Sequence, residues 1–167
     1  MENRLYPIDE KVFYDRVSIR FENIQDGFSK YESVSLSGKD ENIIKFILEL
    51  YKYNGFESSF VDFYYSRLND ESKRKVKSIL DTNELQLIKG YEKYMNNNHI
   101  YFQLDKEFLS LIVKLSLKEM LFSTFYFAKS NFTIWGNYNN NFPCFYINEK
   151  DYIIYKQIAD KCEVELI

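Results

Sequence analysis

One histidine, two cysteines and five glycines leave this chain of 167 residues little catalytic equipment. His99 is alone, so one chain cannot supply a multi-histidine metal site. It follows three asparagines at the expected end of a helix and reads as a loop residue. Cys144 and Cys162 have neither metal-ligand spacing nor a CxxC pattern, and two cysteines are too few for a disulfide framework. They read as buried thiols. Neither GxGxxG nor GxxxxGK followed by Ser or Thr occurs, so no phosphate cradle is legible. Glu149 and Asp151 fall in the first turn of an expected helix, where the helix dipole favours negative charge. An acidic contact patch for a basic partner is the competing reading. Glu163 and Glu165 alternate with Val164 and Leu166, which marks the wet face of a terminal strand. The basic run at 73–77, KRKVK, is divided among helix faces and flanked by Asp70, Glu71 and Asp81, so it reads as a solvated surface. An acid–base pair needs two carboxylates in different environments, and no spacing here singles out such a pair.

The residue that stands out is Trp135, the only tryptophan. It lies in an expected strand, opposite Phe132 and Ile134. If those two and Tyr138 face the core, Trp135 and Asn137 face outward, and an exposed Trp near Phe125 and Phe127 makes a binding patch. In the other arrangement the central helix and the C-terminal helix cover both faces of the sheet.

Composition narrows the partners. The net charge is −3, with 22 Lys and Arg against 25 Asp and Glu. Nucleic-acid binders carry a basic excess, and Lys129 is the only basic residue between Phe122 and Ile147. That argues against an RNA platform on the aromatic sheet. A mildly acidic protein suits a basic protein partner. No stretch reaches the ~18 apolar residues of a membrane span, and the N-terminal MENRLYPIDE has no apolar signal core. A reducing, cytoplasmic setting follows as the expectation. Aromatics are 19% of the chain, which AT-rich codon usage explains as readily as function does.

The elements that must hold these residues divide into two parts. Residues 1–121 read as mostly helical. Asp9 caps a helix over 9–24 carrying Phe13, Val17, Phe21 and Ile24, although 17–22 also alternates like a strand. Residues 29–39 are a serine-rich loop. Asp40 opens an amphipathic helix stopped by Gly55. A short helix covers FVDFYYSRL. Asp70 and Thr82 cap two further helices, the second containing Gly90 and ending at Asn96-Asn97-Asn98. Asp105 caps the most apolar helix, whose polar positions Glu107, Ser110, Lys114 and Lys118 form one narrow stripe. That makes it the central helix of the domain. From Phe122 the period changes from 3.6 to 2, giving strands at 122–128, 132–138 and 142–147. Asn139-Asn140-Asn141 supplies a left-handed turn, and Pro143 must begin or edge its strand. Asn148 caps a last helix, and 163–167 can add a fourth strand. The expectation is one α+β domain over 1–167. Its helical body packs on a small, mainly antiparallel β-β-β-α-β region over 122–167.

The sequence LFSTFYF, then FTIWGNY, then FP with aromatics and a helix ending near Ala159, resembles the ending of bacterial immunity proteins. These protect against polymorphic toxins, including those of contact-dependent growth inhibition. The resemblance implies a small cytoplasmic, non-enzymatic protein that binds a cognate toxin domain stoichiometrically, with no cofactor and no nucleic-acid or membrane partner. A nuclease is the default toxin, because basic nucleases favour an acidic partner. Trp135, Asn137, Tyr138, Glu149 and Asp151 are the expected contact residues. The alternatives are a small enzyme with a carboxylate site between helices and sheet, and a regulatory partner protein unconnected with toxins.

Overall fold

The computed structural model describes residues 5–94 and 98–167. Asn96 and Asn97, expected to end a helix, lie outside them. The α+β class holds, but the expected division into a helical body and a C-terminal sheet does not. Strands recur along the whole described chain and join one antiparallel sheet in the order β1-β4-β3-β5-β6-β7-β2-β8. The strands are β1 (Leu5–Pro7), β2 (Glu32–Ser37), β3 (Ser59–Asp62), β4 (Tyr101–Leu104), β5 (Thr124–Phe127), β6 (Phe132–Trp135), β7 (Asn141–Tyr146) and β8 (Glu165–Leu166). The helices are α1 (Glu10–Arg16), α2 (Ile24–Lys30), α3 (Asp40–Asn54), α4 (Asp70–Ser78), α5 (Thr82–Tyr94), α6 (Lys106–Leu117) and α7 (Glu149–Lys161).

The pleat sorts side chains between two layers. Phe125, Phe127, Phe132, Ile134, Phe142 and Cys144 enter the main core with Val61, Phe102 and Leu36, where α3, α6 and α7 cover them. As its polar stripe predicts, α6 buries Phe108, Leu109, Leu111, Ile112, Val113, Leu115, Ser116 and Leu117. The Asp105 carboxylate accepts the Phe108 amide at its start. The residue Gly55 stops α3 at φ 81°, a backbone that side chains with a Cβ rarely adopt. At the Tyr138 turn, Asn139 and Asn140 take the expected left-handed conformation.

The second layer is thinner. The helix expected over 9–24 ends at Arg16. Residues 17–21 then bend without regular structure, with Val17 and Ile19 buried and Ser18 and Arg20 exposed. Thr133 of β6 donates its hydroxyl to the Ile19 carbonyl at 2.9 Å, which ties this segment to the sheet. Phe13 of α1 stacks on Tyr101 with ring centroids 3.8 Å apart and meets Tyr126 edge-on at 4.8 Å. Further along, Phe21 and Phe28 pack on Phe145 of β7. Residues 10–31 thus form a strap across the sheet face away from α6. The C-terminal helix α7 packs with α3 and β7, on the same side as α6, so it does not cover the second face.

Other expectations are corrected in detail. The serine-rich 29–39 segment is not all loop. It contains β2, whose Val34 and Leu36 point into the core while its serines alternate outward. FVDFYYSRL is β3 followed by a short 3-10 turn, Tyr65–Arg67. Asn69, not Asp70, caps α4 by accepting the Ser72 amide. Asp81, not Thr82, caps α5 through a reciprocal exchange with Glu84. Asp9 occupies the α1 cap position without a side-chain bond to the helix, and Lys39 precedes α3 in the same way. Pro143 sits within β7. It is tolerated because β6 pairs no further than Ile134↔Cys144, and its partner on the other side, Ser35, bonds Ile167 instead.

Ile112 is fully buried in α6, so Ile112→Ala should cost about 2–5 kcal/mol by cavity formation. Asp105→Ala removes only a cap and should cost about 1 kcal/mol. A Cβ added at Gly90 of α5 meets nothing within 4 Å, so Gly90→Ala should stabilise by about 0.5–1 kcal/mol. Urea denaturation of the three variants checks this ranking, and a destabilising Gly90→Ala would contradict it.

Candidate functional site

The strap covers the second face incompletely. Between it and the ends of β3, β5 and β6 lies a groove of about 820 Å³. Its floor is built by β3, β4 and β5, and its walls by α1, residues 20–22, α2, residues 122–123, Trp135 and the chain after β6.

Asp62 is the buried carboxylate of this floor, with 7% of its surface exposed. It arises where two strands part. The β3–β5 ladder ends at Val61↔Phe125. One residue on, the Thr124 amide bonds the Asp62 Oδ1 at 2.7 Å. The Tyr126 hydroxyl donates to Oδ2 at 3.3 Å. Burial pushes the Asp62 carboxyl up to about 7, against these bonds and one from the Thr124 side chain, which favour the charged form. Among the described residues no Lys, Arg or His forms an ion pair with it. Burial and the Asp62 charge also raise the hydroxyls of Tyr126, Tyr101 and Tyr64, so these phenols stay neutral at ordinary pH.

The walls are aromatic. Trp135 stacks on Phe21 at 5.4 Å, and Tyr138 meets Phe122 edge-on at 4.7 Å. Arg20 places its guanidinium 4.7 Å from the centre of the Tyr14 ring, and the Tyr14 hydroxyl donates to Glu10. Gly136 lets the strand end lie flat against the preceding hairpin arm. Its amide donates to the Ser123 carbonyl at 3.0 Å, and an added Cβ would stand 2.6 Å from that same oxygen. The turn bearing Tyr138 is held from the helical side. Asn140 donates to Asp40 at 2.5 Å, and the Asn139 amide donates to Glu119 at 3.0 Å. Lys118 also bonds Asp40 at 3.0 Å and, as the largest effect, holds its carboxyl below the ordinary value.

Three of the five residues singled out in the sequence therefore meet in one place. Trp135, Asn137 and Tyr138 all line the groove. Trp135 stands on the second face as the period of two predicted. Tyr138 does not go with Phe132 and Ile134 into the core, because β6 ends at Trp135 and the chain turns; its ring is exposed. Phe125 and Phe127 do not join Trp135, since both are buried on the α6 side, and Tyr126 and Thr124 take that place. Glu149 and Asp151 line no part of the groove. They occupy the first turn of α7, where the Asp151 amide bonds the Asn148 cap. Sequence reasoning missed Asp62, Tyr64 and Tyr101 because they lie on or directly after strands it did not recognise. The available signal was a lone Asp inside the apolar run Phe60-Val61-Asp62-Phe63.

The Asp62 carboxyl holds its proton up to about pH 7 when folded and releases it near 4 when unfolded. Between those values the folded chain binds more protons, so stability falls as pH rises. The loss should be on the order of 2–4 kcal/mol. Asp62→Asn should remove it, so the variant gains on the parent between pH 5 and pH 8. Urea denaturation at both pH values checks this, and parallel pH profiles would contradict it.

No family model, no curated protein and no solved structure matches the chain.

Proposed function

We propose that this chain is a cytoplasmic immunity protein that neutralises a cognate bacterial toxin domain, a nuclease by default, by stoichiometric binding at the groove. The observation that carries the reading is the aromatic rim of Trp135, Tyr138, Phe122 and Phe21 above an acidic floor. Trp and Tyr are the side chains that most often anchor protein–protein contacts, because each buries a large rigid surface with one polar handle. The groove is too broad for a single side chain and suits an inserted loop of a folded partner.

The sheet edges are less suited to binding by strand addition. Among the described residues the edge strands β1 and β8 have three and two residues, and Pro7 ends β1. Among the described residues no helix is long and apolar enough to cross a membrane. That fits a partner met away from the bilayer core.

Asp62 supports a second reading. A buried carboxyl with a pKa of about 7 beside a tyrosine hydroxyl is suited to general acid–base work in an enzyme. The two readings differ in what the isolated chain does. An immunity protein forms a complex with the product of an adjacent toxin gene and rescues cells that express it. An enzyme turns over a substrate and loses that turnover in Asp62→Asn.

The test is co-expression with the product of the neighbouring toxin gene, followed by calorimetry on the purified pair. A complex of one-to-one stoichiometry is expected, and Trp135→Ala should weaken it by about 2 kcal/mol or more. Full protection by a chain that forms no complex, or a Trp135→Ala complex of unchanged affinity, would count against this contact surface.

A further inference from the structure

We propose that the groove is anchored by one lysine or arginine side chain of the partner, its cation on the Asp62 carboxylate and its stem along the aromatic walls. This rests on reading the groove as a partner-binding surface and adds the chemistry of what enters it.

The first argument is the unfinished electrostatics of Asp62. Its hydrogen bonds come from neutral donors, the Thr124 amide and side chain and the Tyr126 hydroxyl. A carboxylate accepts about four such bonds, so capacity remains on a group that faces the groove. A buried carboxylate without a counter-charge is costly, and a cation with hydrogen-bonding protons relieves that cost. A neutral apolar group set against Asp62 would leave it uncompensated.

The second argument is the walls. Tyrosine and tryptophan ring faces attract cations, and one cation already uses them, since Arg20 lies over Tyr14 within the same groove. The third is the charge balance of the lining. Glu10, Glu22, Asp26 and Asp62 face Arg20 and Lys30, four acids against two bases. Anionic occupants are disfavoured by that excess, and a basic partner is favoured.

The groups that sense the Asp62 charge come from several elements: Tyr126 on β5, Tyr101 on β4 and Tyr64 after β3, with Tyr14 and Glu10 of α1 and Arg67 in turn acting on Tyr64. The four phenols are all raised and remain neutral near pH 7. The affinity for a cation therefore rises with pH as Asp62 loses its proton.

Trp135 is the only tryptophan and lines the groove, so its fluorescence reads occupancy directly. The full chain is titrated with N-acetyl-lysine methylamide, N-acetyl-arginine methylamide and the neutral N-acetyl-norleucine methylamide. A saturable response is expected for the two cations, at least about tenfold tighter than for the neutral probe. It should strengthen from pH 5.5 to pH 8 and be lost in Asp62→Asn. The pH series on the unaltered chain keeps the test valid if that variant fails to fold. No response to either cation, equal response to the neutral probe, or a flat pH profile would overturn the proposal. So would butylammonium binding as tightly as the lysine derivative, because the occupant would then be a free amine. These titrations need no toxin, so their failure leaves a complex between the two proteins intact. Absence of such a complex is seen separately, in the co-expression experiment.

Discussion

A sheet of eight strands has two faces to remove from water, and this chain has enough long apolar helix for one of them. α3, α6 and α7 all pack on the side of Phe125, Phe132 and Phe142. The opposite face is left to residues 10–31, two helices of seven residues joined by irregular, bent chain. That strap succeeds where aromatic rings support it, at Phe13 on Tyr101 and at Phe21 and Phe28 on Phe145. Where it does not reach, the sheet stays open. The groove is therefore a consequence of unequal coverage, and its aromatic lining is shared between the sheet and the strap, with Tyr101, Tyr126 and Trp135 from the first and Tyr14 and Phe21 from the second.

Asp62 shows how the fold tolerates a carboxylate at the bottom of that opening. A buried charge is expensive unless its oxygens are occupied. Here one oxygen takes the amide that would otherwise lose its ladder partner as β3 and β5 diverge. The side chain thus completes the backbone pairing of the sheet while keeping a titratable group near neutrality. Structure and reactivity reside in the same atoms. Changes at Asp62 consequently act on stability and on the groove together, and separating the two requires measurements across pH.

Much of the helical layer was legible because periodicity is strong where burial is one-sided. The polar stripe of α6 and the capping residues Asp105 and Asn148 follow from spacing alone. The alternation in β5 and β6 placed Trp135 on the correct face for the same reason. The hidden strands were hidden for physical causes. β3 is buried on both faces, so Ser59-Phe60-Val61-Asp62 shows no alternation and runs into an apolar stretch that reads as helix. β2 carries only two inward apolar side chains among serines, which is also the composition of a loop. Since β3 and β4 form the groove floor, the rim was readable and the floor was not. Trp135, Asn137 and Tyr138 are near one another in sequence, whereas Asp62 and Tyr101 join them only through long-range pairing.

The position of β2 in the sheet has a consequence for how the molecule is made. It lies between β7 and β8, paired to Tyr146 at one end and bonded to Ile167 beside its middle. During translation this strand leaves the ribosome long before either neighbour exists. Contacts of such sequence separation close slowly, and an unpaired strand awaiting its partners is exposed to aggregation. The nascent chain can build α3 early, yet it cannot complete the sheet until the segment beyond α7 has emerged. Pairing of β2 on both sides therefore waits for residues more than a hundred positions further along the chain.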